Sequence, residues 1–121
     1  MDIGKFETSE KSNAGADLTI RHPETGKDTD IVITLLGADS KAFRDASREA
    51  RRDALKEQSE DPREMTIRVV TACTVGWKGI EENGEPVEHS DDAAVDLYTR
   101  YPWLLAQCDR FINERANFFR G

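Results

Sequence analysis

The stretch of residues 76–90 constrains the fold of this chain more than any other, because it places a tight turn between two helical patterns. Asn83 and Gly84 are adjacent residues that tolerate positive φ, which a type I′ hairpin turn requires. Ser90 closes the stretch at a position where its hydroxyl can cap the next helix. We therefore predict a small β-hairpin or Ω-like elbow over residues 78–87, which sets the relative direction of the flanking helices.

Three residues are predicted to hold this elbow in place: Trp77, Ile80 and Gly84. Trp77 and Ile80 carry the large apolar side chains that would anchor the elbow to the rest of the protein. Replacing Trp77 with alanine is expected to unfold the protein, at a cost of about 3–5 kcal/mol if the ring is buried.

Two strands are predicted before the first long helix. Residues 17–22 alternate apolar and polar side chains, residues 30–36 are rich in β-branched residues, and a turn with Pro and Gly separates them. An isolated hairpin is marginal in water, so this one must lie on helices or pair with another strand. Residues 1–16 are polar with little periodicity and are predicted to form a flexible arm, which leaves residues 17–121 as a single domain.

Most of the remaining chain has helical spacing, although the β-branched content of residues 66–75 leaves a strand there as an alternative. Helices are predicted over residues 41–59, from Pro62 to near Val75, from the Ser90 cap to Tyr98, and from Trp103 towards the C-terminus. The predicted fold class is therefore α+β: mainly helical, with about four helices, an N-terminal antiparallel β-hairpin and a small Trp-anchored hairpin between helices.

The helix over residues 41–59 has a narrow apolar face and many charges, with acid–base pairs at i,i+3 such as Asp45–Arg48. It is either a solvent-facing strut or a surface that meets another chain, so Arg48, Arg51 and Arg52 are candidate partner-binding residues. Because acids interleave with these arginines and the sequence pI is near 4.8, nucleic-acid binding is not expected.

The net charge of −7 is concentrated near the elbow. Residues 79–96 contain seven acids and no Lys or Arg, which equals the whole excess of 24 acids over 17 bases. Glu81, Glu82 and Glu85 could steer a basic partner and are candidate partner-binding residues. The alternative is a solvated surface.

A metal-dependent enzyme is the alternative to these binding roles, because four neighbouring residues carry side chains that can bind a metal: Glu88, His89, Asp91 and Asp92. Neighbouring residues on a loop and a helix start point in different directions, and a metal site needs convergent groups. We therefore predict no catalytic residue, no metal and no cofactor, and the chain contains no P-loop, dinucleotide or nucleophile-elbow motif.

The remaining candidates are two cysteines and two aromatic residues. Cys73 and Cys108 lie in helical apolar patterns and are predicted to be buried reduced thiols, with a disulfide as the alternative. Phe118 and Phe119 lie so near the chain end that they could form a docking plug for a partner. The sequence has no apolar run near 20 residues and no secretory signal, so we expect a cytosolic protein without membrane contact.

Two motifs resemble a known family, the tail assembly chaperones of long-tailed bacteriophages. The C-terminal half of the family is similar to residues 77–80 (WKGI), residues 83–87 (NGEPV) and the helix that opens at Ser90. The N-terminal half is similar to residues 33–40 (ITLLGADS) followed by a charged helix. The likeness covers the chain from about Asp17 to the C-terminus.

The resemblance implies a non-enzymatic protein of the host cell cytoplasm that acts during virion tail morphogenesis. Such chaperones bind the tape measure protein, help recruit tail tube subunits and are absent from the mature particle. The expected partners are therefore a tape measure protein and a tail tube protein, with self-association left open. The alternative is a phage structural adaptor, a head–tail joining or tail completion protein, that is retained in the virion.

Overall fold

A third strand completes the predicted hairpin as a sheet. The structure is a computed structural model, and it describes residues 1–57 and 61–119. Strands β1 (Ala16–Arg21), β2 (Asp28–Leu35) and β3 (Thr74–Lys78) pair antiparallel in the order β1-β2-β3. The hairpin is confirmed, and its need for further support is met by β3 and by the helices below the sheet.

The start of β3 corrects the sequence reading, which carried a helix to near Val75. The helix ends at Cys73, and the strand begins at Thr74 without an intervening loop. The N–H of Leu36 donates to the Cys73 carbonyl over 2.8 Å, so the end of the helix is already bonded to the chain beyond β2. Pairing with β2 outweighs helix propensity here because β-branched residues pack well on a half-buried sheet.

The described residues contain five α-helices and two 3-10 turns. The helices are α1 (Ser9–Ala14), α2 (Lys41–Glu57), α3 (Pro62–Cys73), α4 (Asp91–Arg100) and α5 (Pro102–Asn113), and the turns are Ile3–Phe6 and Arg115–Phe118. The α+β class with mainly helical content is thus confirmed. The end predicted for α2 at Ser59 lies outside the described residues, and none of the helices described is long and apolar enough to cross a bilayer.

Side chains at the helix starts explain where three of these helices begin. The Asp61 carboxylate accepts from the Arg63 N–H over 3.0 Å, and the Ser90 hydroxyl accepts from the Ala93 N–H over 3.0 Å. Pro102 occupies the first turn of α5, where its missing N–H costs nothing. The break predicted at Tyr101-Pro102 is therefore confirmed.

The elbow is a two-stranded hairpin, as predicted. Strands β4 (Glu81–Glu82) and β5 (Glu85–Pro86) are joined by Asn83 and Gly84, whose φ angles are 51° and 81°. Positive φ at both positions is the requirement of a type I′ turn. The base of the hairpin is closed by the Val87 N–H, which donates to the Ile80 carbonyl over 2.9 Å.

The core lies between one face of the sheet and helices α3, α4 and α5. Its fully buried side chains include Ile33 and Leu35 from β2 and Ile112 from α5. At its centre the hydroxyls of Tyr98 and Thr74 lie 2.7 Å apart, and Thr74 Oγ1 also bonds the Val70 carbonyl over 2.7 Å. Every oxygen of this buried group has a partner, so the polar pair costs the core little.

Part of the segment predicted as a flexible arm is helical. Residues 9–14 form α1, in which Ser12 is buried, and the Gly37 N–H donates to the Ser12 carbonyl over 3.0 Å. The Asn13 side chain accepts from the Lys41 N–H over 2.9 Å and so caps α2. Flexibility of residues 1–16 remains a prediction for the part before α1, where Phe6 is exposed.

The C-terminal turn is tied to the start of α2 by an ion pair. Arg115 donates from Nε to Asp39 Oδ2 over 2.6 Å and from Nη2 to Oδ1 over 2.9 Å. These hydrogen bonds lower the pKa of Asp39 below its ordinary value of 3.8.

The Asp39–Arg115 pair predicts a pH-dependent contribution to stability. Because the pKa of Asp39 is lower in the folded state, its stabilisation is present above pH ~4 and is lost as the pH falls through the folded pKa. Asp39→Asn should therefore lower the free energy of unfolding at pH 7, and its difference from the unsubstituted protein should shrink in urea titrations below pH 4. Arg115→Gln should show the same pattern. If the loss of stability in these variants does not depend on pH, it does not come from the ion pair between Asp39 and Arg115.

Candidate functional site

The arginines of α2 form a basic stripe on the exposed side of the helix. Arg44, Arg48, Arg51 and Leu55 recur at offsets 0, 4, 7 and 11, so they lie along one line of the surface. The four α2 acids, Asp45, Glu49, Asp53 and Glu57, recur at i,i+4 on a separate line, and Asp53 on this line reaches Arg68 of α3. By the same spacing Arg52 and Lys56 lie on the line of Asp45 and Glu49, so the neighbouring line carries both signs of charge, whereas the basic stripe contains no acid.

Among the described residues, the arginines of this basic stripe form no ion pair within 4.0 Å. Within the described residues two of the four α2 acids form ion pairs with other bases: Lys41 Nζ lies 2.7 Å from Asp45 Oδ2, and Arg68 of α3 lies 3.0 Å from Asp53. The i,i+3 pairs predicted from the sequence are not among the ion pairs there: Asp45 pairs with Lys41 instead of Arg48, and Asp53 pairs with Arg68 of α3. The guanidinium groups of Arg48, Arg51 and Arg52 thus remain exposed.

Two apolar features that were not predicted from the sequence accompany the stripe. Leu55 is 72% exposed and lies in line with the arginines. Beside Arg51, a cleft of about 170 Å³ opens between α2 and α3 and is lined by Phe43, Ser47, Arg51, Met65, Thr66, Val69 and Asp109. Extending the arginine spacing by one turn would have indicated Leu55, whereas the cleft depends on how the two helices pack.

The acidic hairpin is only partly free. The Glu82 carboxylate forms an ion pair with Arg100, which also contacts Asp96. Glu81 and Glu85 are exposed. Glu82 and Glu85 are cross-strand neighbours, and such like charges repel, so Arg100 offsets this repulsion. Two of the three predicted glutamates therefore face solvent, and the third is engaged within the molecule.

The two C-terminal aromatics have different environments. Phe118 is 5% exposed, its ring centroid lies 5.5 Å from that of Phe111, and it borders Gly37. Phe119 is 46% exposed. A docking plug made of both rings is therefore wrong for Phe118, because the 3-10 turn that follows α5 directs this ring back into the core.

The predicted anchors of the elbow make specific contacts. Ile80 is buried in the core, and the half-buried Trp77 donates from Nε1 to the Val87 carbonyl over 2.8 Å. The Trp77 ring also meets the His89 ring edge-on, with centroids 4.8 Å apart. Trp77 thus joins β3 to the chain that leaves the hairpin.

Because Trp77 is half-buried rather than buried, the expected cost of Trp77→Ala falls to about 2–3 kcal/mol. Trp77→Phe keeps most apolar contacts and loses the Nε1 hydrogen bond, so it should cost about 1 kcal/mol less than the alanine variant. Urea unfolding of both variants measures the difference. Equal losses would show that the hydrogen bond, and not ring packing, is the main contribution of this residue.

The residues around His89 do not converge. Within residues 1–57 and 61–119, no group of three or more His, Cys, Asp or Glu side chains is placed to hold a metal ion. His89 Nε2 is buried without a hydrogen-bond partner in this part of the chain, beside Trp77. The ring therefore packs as part of the elbow.

The two cysteines are buried free thiols, as predicted. Burial raises the pKa of Cys73 to about 11 and that of Cys108 to about 12. Thiolates are the reactive form of cysteine, so these pKa values make both thiols inert at neutral pH. They contribute to the core and not to a reactive site.

Comparison of the chain with protein-family models, with curated proteins and with solved structures finds no match. The functional assignment therefore depends on the residues and surfaces described above and on the sequence resemblance.

Proposed function

We propose that this protein is a phage tail assembly chaperone that binds the tape measure protein and helps recruit tail tube subunits, and that it leaves before the tail is complete. The observation that carries the proposal is the α2 surface, defined here as the basic stripe Arg44, Arg48, Arg51 and Leu55 together with the adjoining cleft between α2 and α3. The sequence resemblance supplies the biological setting.

The α2 surface has the properties that a helical partner requires. Exposed cations at helical spacing can pair with acids on one side of a partner helix, and the cleft beside Arg51 offers apolar contacts from Phe43, Met65 and Val69. The protein as a whole carries a charge of −7, so this stripe is a local reversal of sign. A tape measure protein is expected to be long and helical, which suits such a surface.

The first test is co-expression with the tape measure protein of the phage that carries this chain. The chaperone should keep the tape measure protein soluble and should be retained with it in a pull-down. Arg48→Glu with Arg51→Glu should weaken retention about tenfold, because two attractive contacts become repulsive. Lys5→Glu with Lys27→Glu makes the same change of net charge at exposed sites away from α2 and should have no effect.

Two results would count against the proposal. Failure of the unsubstituted protein to retain either the tape measure or the tube protein would exclude the chaperone role. Equal losses from the two double variants would show that net charge, and not the α2 surface, governs binding.

Mass spectrometry of purified virions separates the chaperone from the alternative adaptor. A chaperone should be missing from the particle, whereas a joining or completion protein should be present in a few copies. Detection in the virion would favour the adaptor over the chaperone, and the α2 surface would then be the proposed contact site of the adaptor.

A further inference from the structure

A groove runs along the open edge of β1. A hollow of about 610 Å³ lies between β1 and α5, and its wall on the helix side contains Trp103, Arg110 and Phe111 of α5 and Glu114, the residue that follows the helix. A second hollow of about 450 Å³ continues it beside residues 14–17 and shares Phe111 with the first. The groove therefore follows most of the strand.

The hydrogen-bonding direction of β2 shows which residues of β1 face this groove. The Leu36 N–H bonds to Cys73 on the β3 side, so by alternation Ile33 and Leu35 point their backbone groups towards β1. Their partners in the register are Leu18 and Ala16. The intervening residues of β1, Asp17 and Thr19, therefore turn their N–H and C=O groups outward.

The backbone of the next outward-facing residue, Arg21, is already hydrogen-bonded by the side-chain amide of Gln107. Gln107 Oε1 accepts from the Arg21 N–H and Gln107 Nε2 donates to the Arg21 carbonyl, both over 2.9 Å. A neighbouring antiparallel strand would make the same two bonds to one residue. The edge is thus satisfied at Arg21, and in the described part of the chain no strand lies against Asp17 and Thr19 on the side of β1 that faces away from β2.

We propose that a second copy of this chain pairs with this edge, β1 against β1, in an antiparallel and two-fold symmetric dimer. A dyad beside Leu18 places Asp17 opposite Thr19 of the second copy and forms four backbone hydrogen bonds. The side chains of an Asp–Thr cross-strand pair already bond inside the molecule, where Thr34 Oγ1 donates to Asp17 Oδ1 over 2.6 Å.

Charges in the groove favour a second copy over a foreign strand. Helix α5 runs antiparallel to β1, because Gln107 lies beside Arg21 and Phe111 lies beside the hollow at Asp17. Arg110 and Glu114 are one helical turn apart on the groove wall, and in residues 1–57 and 61–119 neither forms an ion pair within 4.0 Å. A two-fold rotation reverses the direction of α5, so Arg110 of each copy faces Glu114 of the other.

The other sheet edge is less suited to pairing. The register between β2 and β3 shifts between Thr34 and Leu35, near the start of the five-residue β3, whereas the register shift of β1 lies between Thr19 and Arg21, beyond the segment proposed to pair. Bulges of this kind distort an edge and discourage pairing. The regular part of β1, from Ala16 to Thr19, is therefore the better site. This inference is independent of the α2 surface and of the proposed chaperone role.

Sedimentation equilibrium of the full chain tests the dimer directly. The unsubstituted protein should be dimeric at high concentration and should dissociate on dilution. Thr19→Pro removes one outward N–H without touching the bonds to β2, so the monomer should fold while the dimer is lost. Thr19→Ala keeps the N–H and should dimerise like the unsubstituted protein. A protein that remains monomeric at ~1 mM overturns the proposal, as does an unchanged dimer in the proline variant.

A charge exchange tests the two-fold arrangement even if the proline variant does not fold. Arg110→Glu alone and Glu114→Arg alone each place like charges across the dyad twice, which should raise the dimer dissociation constant about tenfold. Mixing the two variants should restore dimerisation, because every pair in the mixed dimer is then opposite in charge. If the single variants dimerise normally, or if the mixture is no tighter than either variant alone, the β1 interface is excluded.

Discussion

Replacing Gly79 with alanine is expected to remove most of the stability of this protein. Gly79 has a φ of +86°, and a Cβ built on it would lie 2.2 Å from the Asp30 carbonyl oxygen and 2.8 Å from its carbonyl carbon. Real Cβ atoms do not approach backbone atoms so closely. Neither segment can move away easily, because Asp30 lies in β2 and Gly79 directly follows β3. Backbone strain and overpacking together should cost about 3–5 kcal/mol, a large share of a typical small domain's stability.

Two other glycines provide matched controls for Gly79→Ala. Gly84 has a similar φ of +81° but nothing within 4 Å of an added Cβ, so Gly84→Ala should cost only about 1 kcal/mol of conformational strain. Gly76 has neither feature, and Gly76→Ala should be nearly neutral. Urea unfolding of the three variants separates the clash from the strain. If Gly79→Ala and Gly84→Ala lose the same amount, the close approach to Asp30 is not the cause.

Phe118→Ala should cost about 3–4 kcal/mol, because it leaves a cavity in the core between Phe111 and Gly37. Phe119→Ala changes the adjacent ring, which is largely exposed, and should alter the free energy of unfolding by less than about 0.5 kcal/mol. The two variants differ in position by one residue and in nothing else. Thermal and urea unfolding give the comparison.

The same pair of variants also informs partner binding. If Phe119 contacts the tape measure protein, Phe119→Ala should lower retention in the pull-down at unchanged stability. If Phe119→Ala lowers the free energy of unfolding as much as Phe118→Ala does, the burial of Phe118 is not what distinguishes the two rings.

The sequence was sufficient to predict those elements that depend only on residues close together in the chain. The Asn83-Gly84 turn, the Ser90 cap and the break at Pro102 each depend on neighbouring residues alone, and each was predicted correctly. The first strand pair followed from period-two alternation and a turn with Pro and Gly.

The errors occurred where distant parts of the chain decide the outcome. Thr74–Lys78 is a strand because β2 lies beside it, which no pattern within residues 66–75 could show. Phe118 is buried because the 3-10 turn returns the chain towards Gly37, far away in sequence. Likewise, the cleft beside Arg51 and the groove beside β1 arise from the packing of separate elements.

The direct passage from α3 into β3 has a mechanical consequence. A helix joined to a strand through a loop can slide or rotate while the sheet stays still, but Cys73 and Thr74 leave no such slack. Any displacement of α3, including one transmitted from the neighbouring α2, must shift the register of β3 or be resisted by its pairing with β2. The pairing of β3 with β2 therefore opposes movement of α3 relative to the sheet.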